Sequence, residues 1–260
     1  MSAGESQTWL ALAIGNSRLH WGWFDRTNLL QAWDTEHLSA DRIRELAIGH
    51  LDWQQLPDFP AIGSLPELWL VSTVPEQTEW WRSYPHLHAI ARSDIPLNNL
   101  YPTLGIDRAL AAWGAGQQAG FPMLVIDGGT ALTLTGINEA AELVGGAILP
   151  GLRLQWRSLA QSTAALPEVS ELAGLPDRWA TNTADAIRSG VMHSVIAGLH
   201  GFIVDWRQQF PQSAIVMTGG DGALLHQMLI QFGVARLSYQ PHLLLESLAK
   251  LRSMLARAEE

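Results

Sequence analysis

Cysteine is absent from the 260-residue chain, which excludes disulfides, thiolate-bound zinc, iron–sulfur clusters and cysteine nucleophiles together. Charge is sparse as well: 16% of the residues are Asp, Glu, Lys or Arg, against about a quarter in ordinary usage. Positive charge is the scarcer sign, with 16 Lys and Arg against 25 Asp and Glu for a net −9. Such a balance argues against nucleic-acid binding, which needs a basic face to displace phosphate counterions. A long hydrophobic run is also missing. The longest uncharged stretch, 109–126, is interrupted by Gln117, Gln118, Pro122 and three glycines, so no membrane span is expected from it. The opening MSAGESQTW has no basic segment followed by an apolar one, so no secretory signal is expected and a soluble cytoplasmic protein is the default.

What is present is a chain built to bury a large core, with 47% hydrophobic residues and 12 tryptophans scattered along it as packing material. The length suits one large domain or two of about 130 residues. Apolar residues at 10–14, a turn at Gly15-Asn16-Ser17-Arg18 and alternation through Leu19, Trp21 and Trp23 predict a β-hairpin. A helix is expected around Arg42–Leu46, a loop over Pro57–Pro66 and a strand at Leu68–Val74. The hairpin pattern returns at Met123–Asp127, Gly128-Gly129-Thr130 and Leu132–Ile137. Laying positions 13–16 over 127–130 suggests an internal duplication into two α/β domains, 8–118 and 119–258, divided near Gly114–Phe121. The second half predicts a long helix over Asn182–Phe210 capped by Thr183, a strand at Ala214–Met217, a helix at Ala223–Phe232 and a closing helix at Leu243–Ala258.

Glycine turns that follow strands let backbone N–H groups approach a phosphate with no Cβ in the way. Four are expected here: Gly15-Asn16-Ser17, Gly128-Gly129-Thr130, Gly145-Gly146 and Thr218-Gly219-Gly220-Asp221-Gly222. None carries the lysine of a Walker A loop, and none is a dinucleotide-type G-x-G-x-x-G directly after a strand. Composition and spacing alone therefore reach a phosphate-binding α/β duplication.

The ordered set of motifs goes further. IGNSRLHWGWF at 14–24, VSTVP at 71–75, YPTLGIDR at 101–108 and VIDGGTALT at 125–133 are followed by GGAILPG at 145–151, NTADAIRSG at 182–190 and TGGDG at 218–222. In this order the chain resembles the type III pantothenate kinases of the actin-like and sugar-kinase superfamily. That resemblance implies two ribonuclease-H-like domains with a nucleotide cleft between them, and transfer of a phosphoryl group from ATP, carried with Mg²⁺, to pantothenate. It implies Asp107 as general base, with Tyr101, Gly105, Ile106, Arg108 and Thr183 toward pantothenate. Ile14, Gly15, Asn16, Ser17, Arg18, Thr130, Gly219 and Gly220 fall toward ATP, and Asp127 toward a monovalent cation, K⁺ or NH₄⁺. A homodimer is implied too, with pantothenate and ATP as partners and neither nucleic acid nor membrane.

One position departs from the pattern. The first motif of that family opens with Asp, and here it reads Ala13-Ile14-Gly15-Asn16-Ser17, which leaves phosphate contacts to the turn itself. Two other classes stay open beside the kinase: a non-catalytic nucleotide-binding regulator, motivated by Ala13, and a sugar kinase of the same superfamily. The nine histidines include His86 and His88 in H-x-H spacing and His193 and His200 seven apart on a helix. Metal sites need three or four converging ligands, so these are read as solvated or core residues.

Overall fold

The computed structural model describes residues 8–56, 58–60, 65–169 and 176–258. Within the expected loop over Pro57–Pro66, Pro57 and 61–64 lie outside the described residues. The described chain separates into two compact units, the first running to Gly114 and including the residues from His242, the second covering Ala115–Pro241.

The first unit opens with β1 (Thr8–Ile14), β2 (Leu19–Asp25) and β3 (Asn28–Thr35), an antiparallel meander. Helix α1 (Ala40–Ala47) follows, with Ser39 accepting from Arg42 N at its N-cap. Strand β4 (Glu67–Ser72) then pairs parallel with β1. Helix α2 (Pro75–Trp81) starts on a proline, whose missing N–H costs nothing at a first helical position, and β5 (Leu87–Ala89) closes the sheet edge parallel to β4. The order is β3-β2-β1-β4-β5. One face of this sheet buries Leu10, Leu12, Trp21 and Leu70 with Ile43, Trp53 and Trp81. Trp21 is the centre of an aromatic box, edge-on to Trp53 and Trp81 at 5.8 Å and to Phe59 at 4.9 Å, so several of the tryptophans are indeed core filler.

Helix α3 (Ile106–Ala119) leads from the first unit into the second. The second sheet holds β6 (Met123–Gly128), β7 (Ala131–Ile137) and β8 (Leu143–Pro150), again an antiparallel meander. After α4 (Leu152–Ser162) and α5 (Thr183–Gln209), β9 (Ala214–Thr218) pairs parallel with β6. Helix α6 (Gly222–Gln231) and β10 (Leu237–Tyr239), parallel to β9, complete the unit. Its order, β10-β9-β6-β7-β8, repeats that of the first sheet strand for strand, which is what an internal duplication requires. At 27 residues, α5 is long and apolar enough to cross a membrane by length and composition. Its Ile187, Met192, Ile196, Leu199 and Ile203 are instead buried in the core of the second unit.

Three local expectations are corrected. Gly145-Gly146 is not a turn: both residues lie inside β8, opposite Gly136 and Thr135. The ladder shifts register there, and Gly145 takes φ +151°, which glycine alone adopts easily. The cap of α5 is Asn182, whose side chain accepts from Asp185 N at 3.0 Å, so Thr183 is its first helical residue. The division between the units falls at Gly114, at the start of the expected stretch, and lies within α3, which runs on to Ala119. Finally, the closing helix α7 (Leu243–Ala258) belongs with the first unit. It packs on that sheet, with Leu245 against Gly22 and Arg252 bound to Glu67 at 2.7 Å.

Candidate active site

Asp107 lies in the first turn of α3, in the first unit. Gly105 O accepts the N–H of Ala109 at 3.1 Å to start the helix. The Asp107 carboxylate folds back over this start, with Oδ1 accepting from Arg108 N at 2.8 Å. Glycine leaves the carboxylate its place, because a Cβ on Gly105 would stand 2.5 Å from Asp107 Oδ1 and push it aside. Burial pushes the Asp107 carboxyl above the ordinary aspartate range, against the N–H bond and the positive charge of Arg108. A carboxylate raised this way is a better proton acceptor near neutral pH. Arg108, itself buried, donates from Nη1 to Tyr101 Oη at 3.2 Å, and Tyr101 is exposed. Carboxylate, guanidinium and phenol of the motif YPTLGIDR thus lie together, and Leu104 N donating to Tyr101 O at 3.0 Å ties the loop to the helix.

The first glycine turn joins β1 to β2. Gly15 N donates to Arg18 O at 3.0 Å, and Asn16, Ser17 and Arg18 are exposed while Ala13 and Ile14 are buried. One feature here escapes sequence reasoning. His20, opposite Ala13 in the ladder, lies with Nδ1 2.7 Å from Asp34 Oδ1 on β3. Only the strand register brings these two residues together.

In the second unit, β6 ends on Asp127 and Gly128, and Gly129 N donates to Ala131 O at 3.1 Å to close the turn that exposes Thr130. Two glycines on neighbouring segments make this turn possible. A Cβ on Gly219 would stand 2.2 Å from Asp127 Oδ1, and Gly219 holds φ +87°. A Cβ on Gly151 would stand 2.1 Å from Gly129 O, which explains the closing Pro-Gly of GGAILPG, and Gly151 N donates to Thr130 O at 2.9 Å. Asp221 N donates to Gly128 O at 2.8 Å, binding the TGGDG segment to the end of β6, and Gly220 beside it has open space at its Cα. Thr183 is exposed at the start of α5.

Asp127 Oδ1 and Gly128 O border the same space above Gly219, 2.2 and 2.8 Å from a Cβ placed there. Among the described residues no group of three or more His, Asp or Glu side chains converges on a metal-sized site. His88 stacks on Trp69 at 4.7 Å, His193 meets Pro176 O at 3.0 Å and His200 meets the Phe232 ring at 5.3 Å.

The family profile of type III pantothenate kinases matches residues 9–205. A type III pantothenate kinase of Nostoc sp. is 46% identical over 91% of this chain and 91% of its own length. The chain belongs to the type III pantothenate kinase family. Among solved structures, a conserved Baf family transcriptional activator from Campylobacter jejuni superposes with a TM-score of 0.64 at 20% identity, covering 95% of this chain and 99% of that one. MreB 5 of Spiroplasma citri, solved bound to AMPPNP, gives 0.52 at 10% identity over 98% of each chain. These likenesses concern fold alone, and the fold of this type III pantothenate kinase family member is that of the actin-like ATPases.

Proposed function

We propose that this chain transfers the γ-phosphoryl group of ATP to the terminal hydroxyl of pantothenate, giving 4′-phosphopantothenate and ADP as the first step of coenzyme A synthesis. The observation that carries the reading is the pairing of a carboxylate raised by burial, Asp107, with the adjoining Arg108–Tyr101 pair in a chain of this family. Asp107 takes the hydroxyl proton as the oxygen–phosphorus bond forms and the bond to the ADP oxygen breaks. Arg108 presents a planar fork of donors to the pantothenate carboxylate, with Gly105 and Ile106 shaping the floor beneath and Tyr101 and Thr183 as further substrate contacts.

The nucleotide is read as held by Ile14, Gly15, Asn16, Ser17, Arg18, Thr130, Gly219 and Gly220. Magnesium bound with the nucleotide neutralises charge on the transferring group. Asp127 is read as the anchor for K⁺ or NH₄⁺. A cytoplasmic homodimer completes the reading. The family match does not favour a non-catalytic regulator or a sugar kinase.

The test is Asp107→Asn, nearly isosteric but unable to take the proton. Turnover should fall by about 10²–10⁴-fold with ATP binding and thermal stability retained. In the parent protein the acidic limb of kcat/KM should lie above the ordinary aspartate pKa. Turnover by Asp107→Asn at the parental rate would overturn the role of Asp107.

A further inference from the structure

The two glycine turns occupy equivalent places in their sheets and differ in one respect. In the second, Gly129 closes the turn two residues beyond Asp127, and Asp127 pairs with Thr133. In the first, Gly15 closes the turn two residues beyond Ala13, and Ala13 pairs with His20. Where one turn has a carboxylate facing a hydroxyl, the other has a methyl facing an imidazole. His20 is half-buried and Asp34 sits on the neighbouring strand, so Nδ1 is engaged by the carboxylate at 2.7 Å. The opposite ring nitrogen reaches over the turn, since a Cβ on Gly15 would stand 3.6 Å from His20 Nε2.

We infer that His20, oriented by Asp34, is a phosphate-binding residue of the first turn and donates from Nε2 to the nucleotide in its imidazolium form. This rests on the reading of the chain as an ATP-dependent kinase. Nδ1 spends its proton on Asp34, so Nε2 can donate to a phosphate oxygen only when the ring carries both protons. A cation in that position does for the first turn what a carboxylate can do only through a bound metal.

The charges around the pair agree with this. Arg18 comes from the turn, and His242 precedes α7, which packs on β2 and carries Glu246 in its first turn. On the other side of β2, β1 has no titratable residue. The Asp34 carboxyl is held below the ordinary range, first by its bond to His20 and, against some burial, by the charges of His20, Arg18 and His242. Asp34 is therefore a carboxylate at neutral pH and serves as a positioning residue.

The experiment is ATP binding by calorimetry on the whole protein with Mg²⁺ between about pH 6 and 8.5, beside the KM for pantothenate. His20→Gln should weaken ATP about tenfold at the low end, the scale of one charge-assisted hydrogen bond, and flatten the pH dependence relative to the parent. His20→Lys, a permanent cation, should keep affinity within about threefold and also lose the pH dependence. The KM for pantothenate should stay unchanged in both. The inference is overturned if His20→Gln binds ATP as the parent does at every pH, or if His20→Lys loses as much affinity as His20→Gln. A parent protein that binds ATP but leaves pantothenate unphosphorylated overturns the functional reading instead, and the affinities still decide the role of His20.

Discussion

Gly105→Ala separates catalysis from folding at one atom. The added methyl would stand 2.5 Å from Asp107 Oδ1, well inside ordinary van der Waals contact, so the carboxylate has to swing away by about 1 Å. Gly105 is not held at positive φ, so alanine suits its backbone. The clash falls on a rotatable side chain rather than on the main chain. What is lost for stability is little more than the bond that Asp107 Oδ1 accepts from Arg108 N, about 1 kcal/mol. On the proposed mechanism the displaced atom is the proton acceptor, and a misplacement of about 1 Å can lower turnover on the order of 10²-fold. Steady-state kinetics of pantothenate phosphorylation and a thermal melt on the same preparation read the two effects apart. A variant with kcat within about threefold of the parent would refute the placement of Asp107 as the base held above Gly105.

Further outcomes can be checked. Replacing K⁺ by Na⁺ in a complete assay should slow turnover on the proposed reading of Asp127 as the cation anchor; equal rates in both salts would remove the cation from Asp127. Ala13→Asp should raise the magnesium requirement, since two unit charges about 4 Å apart repel by roughly 4 kcal/mol at an effective dielectric near 20 unless a cation sits between them. Magnesium titrations of initial rate that superimpose would place position 13 outside the phosphate site. Arg252→Ala should destabilise the protein by about 2–4 kcal/mol, because Arg252 bonds Glu67 at 2.7 Å and lies over the Trp9 ring at 4.9 Å. Burial opposes ionisation of Glu67, but its bonds from Arg252 and Trp69 outweigh that and hold its carboxyl below the ordinary range. The contribution is thus present above the unfolded pKa of Glu67 and fades as pH falls through the lowered folded value. Denaturation midpoints for the two proteins should converge in acid, and a constant gap would refute the ion pair.

Legibility in the sequence followed how local each signal is. Both hairpins were readable, because an apolar run, a glycine turn and an alternating strand fall within about fifteen residues of chain. The repetition of the two sheets follows from that likeness, and the order of strands bears it out. Helix α3 was not readable as a helix. Residues from Arg108 to Gly116 are all buried, so no polar face gives a period of 3.6, and its alanines and glycines look like a boundary. The two glycines of β8 mislead for the opposite reason, since glycine marks a bulge as readily as a turn. The convergence of Asp107, Arg108 and Tyr101 was legible because all three lie in one motif of eight residues. The His20–Asp34 pair depends on the register of two strands, and the membership of α7 on where the chain returns after a second unit, neither of which a local pattern encodes.

The most direct measurement is identification of the product. Purified protein with ATP, Mg²⁺, K⁺ and pantothenate should form 4′-phosphopantothenate and ADP in equal amounts, seen by phosphorus NMR or mass spectrometry, and almost none with Asp107→Asn. ADP released with no phosphopantothenate, or equal product from Asp107→Asn, would contradict the assignment.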